Sequence, residues 1–199
     1  MRARFQLTAA ATALAVAAPL AACAGSAGPS ASATPRAATT AATCSGPRSG
    51  TNAALTVALA AADLPPTAFA FKQTGDGLLG STPGTDARVF ASADGQTRAE
   101  VDLAADTDKS AAATDYVAYM TAAAKQVARE STSTTPRIGT RANEFAGSDS
   151  TSRSIVSLSF VQCSVIGVVT MVSSNTTVDP AVVEAVARSQ VAKISTAGV

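Results

Sequence analysis

The sequence predicts an α+β fold, an antiparallel sheet of about six strands with helices packed on one side. Three observations predict it. Ala99, Val101 and Leu103 alternate with Arg98, Glu100 and Asp102, the period-two pattern of a half-buried strand. Tyr116, Met120, Ala123, Ala124 and Val127 recur at i, i+4, i+7, i+8 and i+11, the apolar stripe of a helix. Strand, hairpin and helix also follow one another twice along the chain. The halves share this order rather than sequence, which suggests a duplicated unit.

The elements follow in turn. Ala53 to Ala62 reads as a short helix, ended by Asp63-Leu64-Pro65-Pro66. Thr67 to Gln73 is a short strand with Phe69 and Phe71 on one face, and Gly75 to Gly84 a glycine-rich loop. Ala87 to Ser92 and Gln96 to Leu103 form a hairpin through Asp94-Gly95, a dipeptide suited to turn positions with positive φ. The charged outward residues of its second strand leave one sheet face wet. A long helix lies near Lys109 to Glu130, capped by Asp106 or Asp108, and Ser131 to Pro136 breaks it.

Ile138 to Phe145 suggests a strand. Ser154 to Gln162 pairs with Val165 to Ser173 through a turn at Cys163-Ser164. Val165 to Val172 is almost wholly apolar, as in a central strand covered on both faces. Asp179 caps a last helix, Pro180 takes its first position, and the helix runs to about Ile194. Its buried stripe is Val183, Val186, Val191 and Ile194, with Val178 and Val183 placed as a hydrophobic staple.

Ahead of this domain, Arg2 and Arg4 precede the mostly apolar run Phe5 to Pro19 and then Leu20-Ala21-Ala22-Cys23. That is an export leader, residues 1–22, too short for a comfortable membrane span of ~20 residues. Leu20-Ala21-Ala22-Cys23 is similar to the lipobox of bacterial lipoproteins. The resemblance implies diacylglycerol on the Cys23 thiol, removal of the leader and stable anchoring without a span. A plain secretory peptide cut after Ala22 is the alternative. Residues 23–50 are otherwise Ala, Ser, Thr, Gly and Pro with Arg36, Cys44 and Arg48, a composition that cannot repay ordering entropy and reads as a disordered tether. Residues 51–199 then form one domain.

With Cys23 lipidated, Cys44 and Cys163 remain, and an oxidising compartment favours their pairing over two free thiols. The chain has 47 alanines, 46 serines plus threonines and no histidine. Lack of histidine removes the Ser-His-Asp and Cys-His catalytic units and histidine zinc ligands. A net charge of +1 argues against nucleic acid, which demands a basic face. Gly75-Asp76-Gly77-Leu78-Leu79-Gly80 matches a dinucleotide fingerprint in letters, but Ser81-Thr82-Pro83-Gly84 would stop the helix that fingerprint needs. Asp106-Thr107-Asp108 is explained by helix capping rather than a metal.

Asp63-Leu64-Pro65-Pro66, Arg88-Val89-Phe90 leading into Val101-Asp102-Leu103, and Val165-Ile166-Gly167-Val168-Val169 leading to Val178-Asp179-Pro180-Ala181 resemble actinobacterial surface lipoproteins. In pattern these are similar to the extracellular sensor domains of mycobacterial-type receptor kinases. The resemblance implies an envelope domain with a ligand groove and carries over no catalytic residue. The expected function is therefore a non-catalytic, membrane-anchored binding or sensor lipoprotein, monomeric, on the extracytoplasmic face of the cell membrane. Its expected partners are the membrane itself and an envelope lipid or protein, with no cofactor or metal. Tyr116, Met120 and Val127 are the candidate groove lining. The alternatives are a protein-docking module of the envelope and, more distantly, a hydrolase that works without histidine.

Overall fold

Two strands dictate the centre of the molecule, because both alternations along each of them are apolar or small. The computed structural model describes residues 44, 53–66, 70–77 and 84–199. Cys23, the leader and most of the tether lie outside the described residues, as do Thr67, Phe69 and residues 78–83. The elements run α1 (Ala53–Val57), a 3-10 turn (Ala61–Asp63), β1 (Lys72–Gly77), β2 (Thr85–Ala91), β3 (Thr97–Ala105), α2 (Lys109–Gln126), β4 (Arg129–Thr134), β5 (Arg141–Ser148), β6 (Ser154–Gln162), β7 (Val165–Ser173) and α3 (Pro180–Ala197). All seven strands form one antiparallel sheet in the order β1-β2-β3-β7-β6-β5-β4.

The helices cover both faces of this sheet, not one. Val156, Leu158 and Phe160 of β6, with Ala99, Val101 and Leu103 of β3 and Val169 and Met171 of β7, pack with α1 and with Val183, Val186 and Ile194 of α3. The opposite alternation meets α2: Val161 and Ile166 pack with Ala112 and Tyr116. β6 and β7 are buried along almost their whole length, and such strands need cover from two sides. The expectation of one-sided helices conflicts with the apolar run Val165 to Val172 and yields to it.

The strand count differs too. The long helix ends at Gln126 rather than Glu130, and Arg129–Thr134, read as its end and breaker, is the edge strand β4. Thr132, Ser133 and Thr134 pair with Ala146, Phe145 and Glu144, and the register slips between Arg129 and Thr132. The second half thus holds four strands against three in the first, so the suggested duplication does not extend to strand number. Smaller shifts follow. The first helix stops at Val57, and a separate 3-10 turn follows. β1 begins at Lys72, after Phe71, and takes in Gly75 to Gly77. The strand sought at Ile138 to Phe145 is β5.

Local chemistry explains the firmest elements. Asp108 caps α2 by accepting from the Ser110 and Ala111 amides at 2.7 and 2.9 Å. Asp179 caps α3 through the Ala181 amide at 2.9 Å, with Pro180 in the first turn. In the β2–β3 turn only Gly95 has positive φ, so the two-residue turn expected at Asp94-Gly95 is a longer loop instead. Asp94 contributes its side chain, accepting from the Ser92 hydroxyl at 2.5 Å and the Gln96 amide at 3.0 Å. Gly167 is required for another reason. It pairs with Phe160, and a Cβ there would run into Cζ, Cε1 and Cε2 of that ring.

The segment before the sheet is fastened to α3. The fully buried Gln190 accepts from the Leu59 amide at 3.2 Å and donates to the Val57 carbonyl at 2.6 Å. Lys193 donates to the Ala58 carbonyl at 2.8 Å and to Asp63 at 2.6 Å. Cys44 and Cys163 form a disulfide, Cα atoms 5.3 Å apart, that joins this same end of the chain to the β6–β7 turn.

Candidate functional site

On the face that carries α2, β6 presents Ile155, Ser157, Ser159 and Val161, with two small hydroxyl residues in the middle. They leave room for a large side chain, and Tyr116 fills it. Its hydroxyl donates toward Asn143 Oδ1 at 3.0 Å and the Ser159 carbonyl at 3.2 Å, and accepts from Ser159 Oγ at 3.2 Å. Arg141 stands 4.9 Å over the ring, a cation–π contact. Burial, partly offset by Ser159, Arg141 and Asn143, pushes the phenol above its usual range. Met120 is half-buried and packed against the cluster that holds Tyr116, and Val127, just past the end of the helix, is buried. Tyr116 and Met120 thus pack the helix onto the sheet, and neither they nor Val127 lines the groove described next.

That groove begins where α2 stops. The helix covers the end of the face holding Val161 and Ile166, and its last residue, Gln126, reaches Thr170. Beyond it the sheet surface of β3, β7 and β6 stays open, forming a groove of about 490 Å³. Its floor is Arg98 and Glu100 of β3, Thr170 and Val172 of β7 and Ile155 of β6. Its rim is Gly95 and Gln96, Ser174, Gln126, and Asp149 with Arg153. Two polar networks hold the lining in place. Thr170 Oγ1 donates to Gln126 Oε1 at 3.1 Å and meets Ser157 Oγ at 2.9 Å. Arg98 Nη2 donates to Glu100 Oε2 at 3.0 Å.

Asp149 organises the rim loop. One oxygen accepts from the Thr151 amide, the Thr151 hydroxyl and the Arg153 amide at 2.8–3.0 Å. The other takes Arg153 Nε at 2.8 Å and Nη2 at 2.7 Å. Burial opposes the charge here, but these donors together hold the carboxyl well below the usual carboxylate range.

Further along β3, away from the groove, sits Asp102. Its Oδ1 is buried without a hydrogen-bond partner. Burial, reinforced by Glu100, pushes its carboxyl up to about 7, against a smaller pull from Arg98. Tyr119 lies half-buried nearby, and burial with Asp106, Asp115 and Asp102 around it raises its phenol. Among the described residues no group of three or more acids and cysteines could hold a metal ion. On the other face the buried Asp86 pairs with Arg88 at 3.0 Å, and Glu144 accepts from Thr134 at 3.2 Å.

The structure therefore brings together residues the sequence treated separately. Arg98 and Glu100 read only as a solvated strand face, and Arg153, Gln126 and Thr170 belong to no short motif. Cys44 and Cys163 meet as paired by parity, whereas Cys23 lies outside the described residues. No helix among the described residues is long and apolar enough to cross a membrane. No family model, no curated protein and no solved structure matches this chain.

Proposed function

We propose that the chain is a non-catalytic lipoprotein, anchored through Cys23 to the extracytoplasmic face of the cell membrane, whose domain binds a small polar ligand beyond the end of α2. The observation that carries this reading is the groove. Its volume of about 490 Å³ suits a small molecule, and its polar groups are held by bonds among themselves rather than left to find positions on binding. A lining of two arginines, two carboxylates, two amides and two hydroxyls disfavours the acyl chains of an envelope lipid as occupant. Binding is favoured over catalysis because the Thr170 hydroxyl is engaged by Gln126 and Ser157, while Glu100, its cross-strand neighbour, is paired with Arg98. Docking of a protein has less support. Among the described residues the large hydrophobic side chain left exposed is Val117, at 49%, which is no apolar patch.

Two measurements test the proposal. Cys23→Ala should move the protein out of the membrane fraction, and full retention of the variant would contradict lipid anchoring. Native mass spectrometry of the full chain, extracted in detergent from its own membranes, should show a small bound molecule. A bare protein mass would count against the binding reading.

A further inference from the structure

The hydrogen-bonding inventory of the groove is lopsided. Its carboxylates are engaged by its own arginines. Both oxygens of Asp149 are occupied, by Thr151 and Arg153 on one side and by the Arg153 guanidinium on the other. Glu100 Oε2 takes Arg98. Gln126 Oε1 takes Thr170. Its donors are not saturated. Arg98 uses only Nη2, Arg153 uses Nε and Nη2, and the Gln126 amide nitrogen makes no hydrogen bond among the described residues.

A guanidinium held by a carboxylate on one edge is fixed in direction and presents its remaining N–H groups as a rigid fork. Gln126 is fixed in the same way. Because its oxygen accepts from Thr170, its amide nitrogen is the end left to face the groove. A pocket whose carboxylates are engaged by its own arginines and whose guanidinium donors are oriented and partly unused favours a ligand that brings acceptors. Resting on the binding reading above, we propose that the groove recognises a small molecule through an oxyanion, a carboxylate or a phosphate, received by Arg98, Arg153 and Gln126.

The charge balance refines the class of ligand. Arg98 with Glu100 and Arg153 with Asp149 are neutral pairs, and the carbonyl end of α2, partly negative, lies at the groove. Directed hydrogen bonds rather than net positive potential therefore do the selecting. That fits a small molecule with one or two oxyanion groups and disfavours a long polyanion.

The test is a titration of the isotopically labelled full chain in detergent with succinate, inorganic phosphate and glucose, read by NMR at Gly95, Gln96, Ser174 and the Gln126 side-chain amide. Succinate or phosphate should shift these signals saturably, and whichever binds tells carboxylate from phosphate recognition. Arg98→Gln, at an exposed side chain that the core does not need, should weaken that binding by about tenfold or more, the usual weight of a charge-assisted hydrogen bond. Shifts with glucose and with neither anion would leave the groove as a site and overturn the oxyanion. Silence of the groove to all three probes would overturn both readings. Anion binding unchanged in Arg98→Gln would overturn the assignment of Arg98 and with it the proposal.

Discussion

Removing the Cys44–Cys163 bond with the double variant Cys44→Ala, Cys163→Ala should lower the unfolding free energy by about 4–5 kcal/mol, the value chain entropy gives for so long a loop. The two cysteines are 119 residues apart, and the bond joins the chain ahead of α1 to the turn between the two most buried strands. Cys163 sits in that turn at φ 56°, buried within the main core against Cys44. In the oxidised protein the unfolded chain keeps this loop closed, so folding has less freedom to remove. The folded state changes less, because Gln190 and Lys193 of α3 still hold residues 57–63. Urea unfolding of the oxidised protein and the double variant measures the difference. A loss below about 1 kcal/mol would mean that closing the loop contributes little to stability.

Asp102→Asn should stabilise the protein at pH 8 by about 2–4 kcal/mol and remove a pH dependence that the wild type displays. The Asp102 carboxyl is pushed up to about 7, first by burial and then by Glu100. In the unfolded chain it ionises near 3.8. Between these values the folded state holds the proton and the unfolded state does not. Stability from this group is therefore complete below about pH 4, falls as pH rises toward 7, and is level above it. The charged groups on the face of Asp102 are Glu100 and Arg98 on its own strand, with Tyr119 and Asp106 nearby, and Asp86 of β2 acts on it from the other face of the sheet. Asparagine keeps the shape and never ionises. Urea midpoints at pH 5 and pH 8 decide the matter: an equal difference between variant and wild type at both values would contradict the assignment.

Strong local signals carried much of the fold. β6 and β7 lie where apolar runs flank Cys163-Ser164, and α3 begins where Asp179-Pro180 supplies both a side-chain acceptor and a residue with no amide to satisfy. β4 was not legible. Its residues, Arg129 to Thr134, contain no apolar alternation, and the strand exists because β5 offers an unpaired edge. The two-sided placement of the helices was readable in Val165 to Val172, whose both faces are apolar, but the alternation in β3 pointed the other way. β3 resolves the conflict by its position. Its Arg98 end lies beyond the reach of α2 and stays wet, while Ala104, on the same face near the other end, is covered.

The candidate groove was the least legible feature. Arg98, Gln126, Arg153 and Thr170 come from four separate elements and meet only through the pairings of β3 with β7 and of β7 with β6. No short motif marks such a site. Tyr116, Met120 and Val127 showed the helical stripe that any packed helix shows, and packing is what they do.

The binding account is tested most directly by comparing wild type with Val172→Trp, both extracted from their own membranes and weighed intact by native mass spectrometry. Val172 lines the groove at the end of β7 away from α2, so an indole there would fill the space without entering the core. The account predicts a small bound molecule on the wild type and a bare mass for the variant. A molecule retained by Val172→Trp, or absent from both, would contradict it.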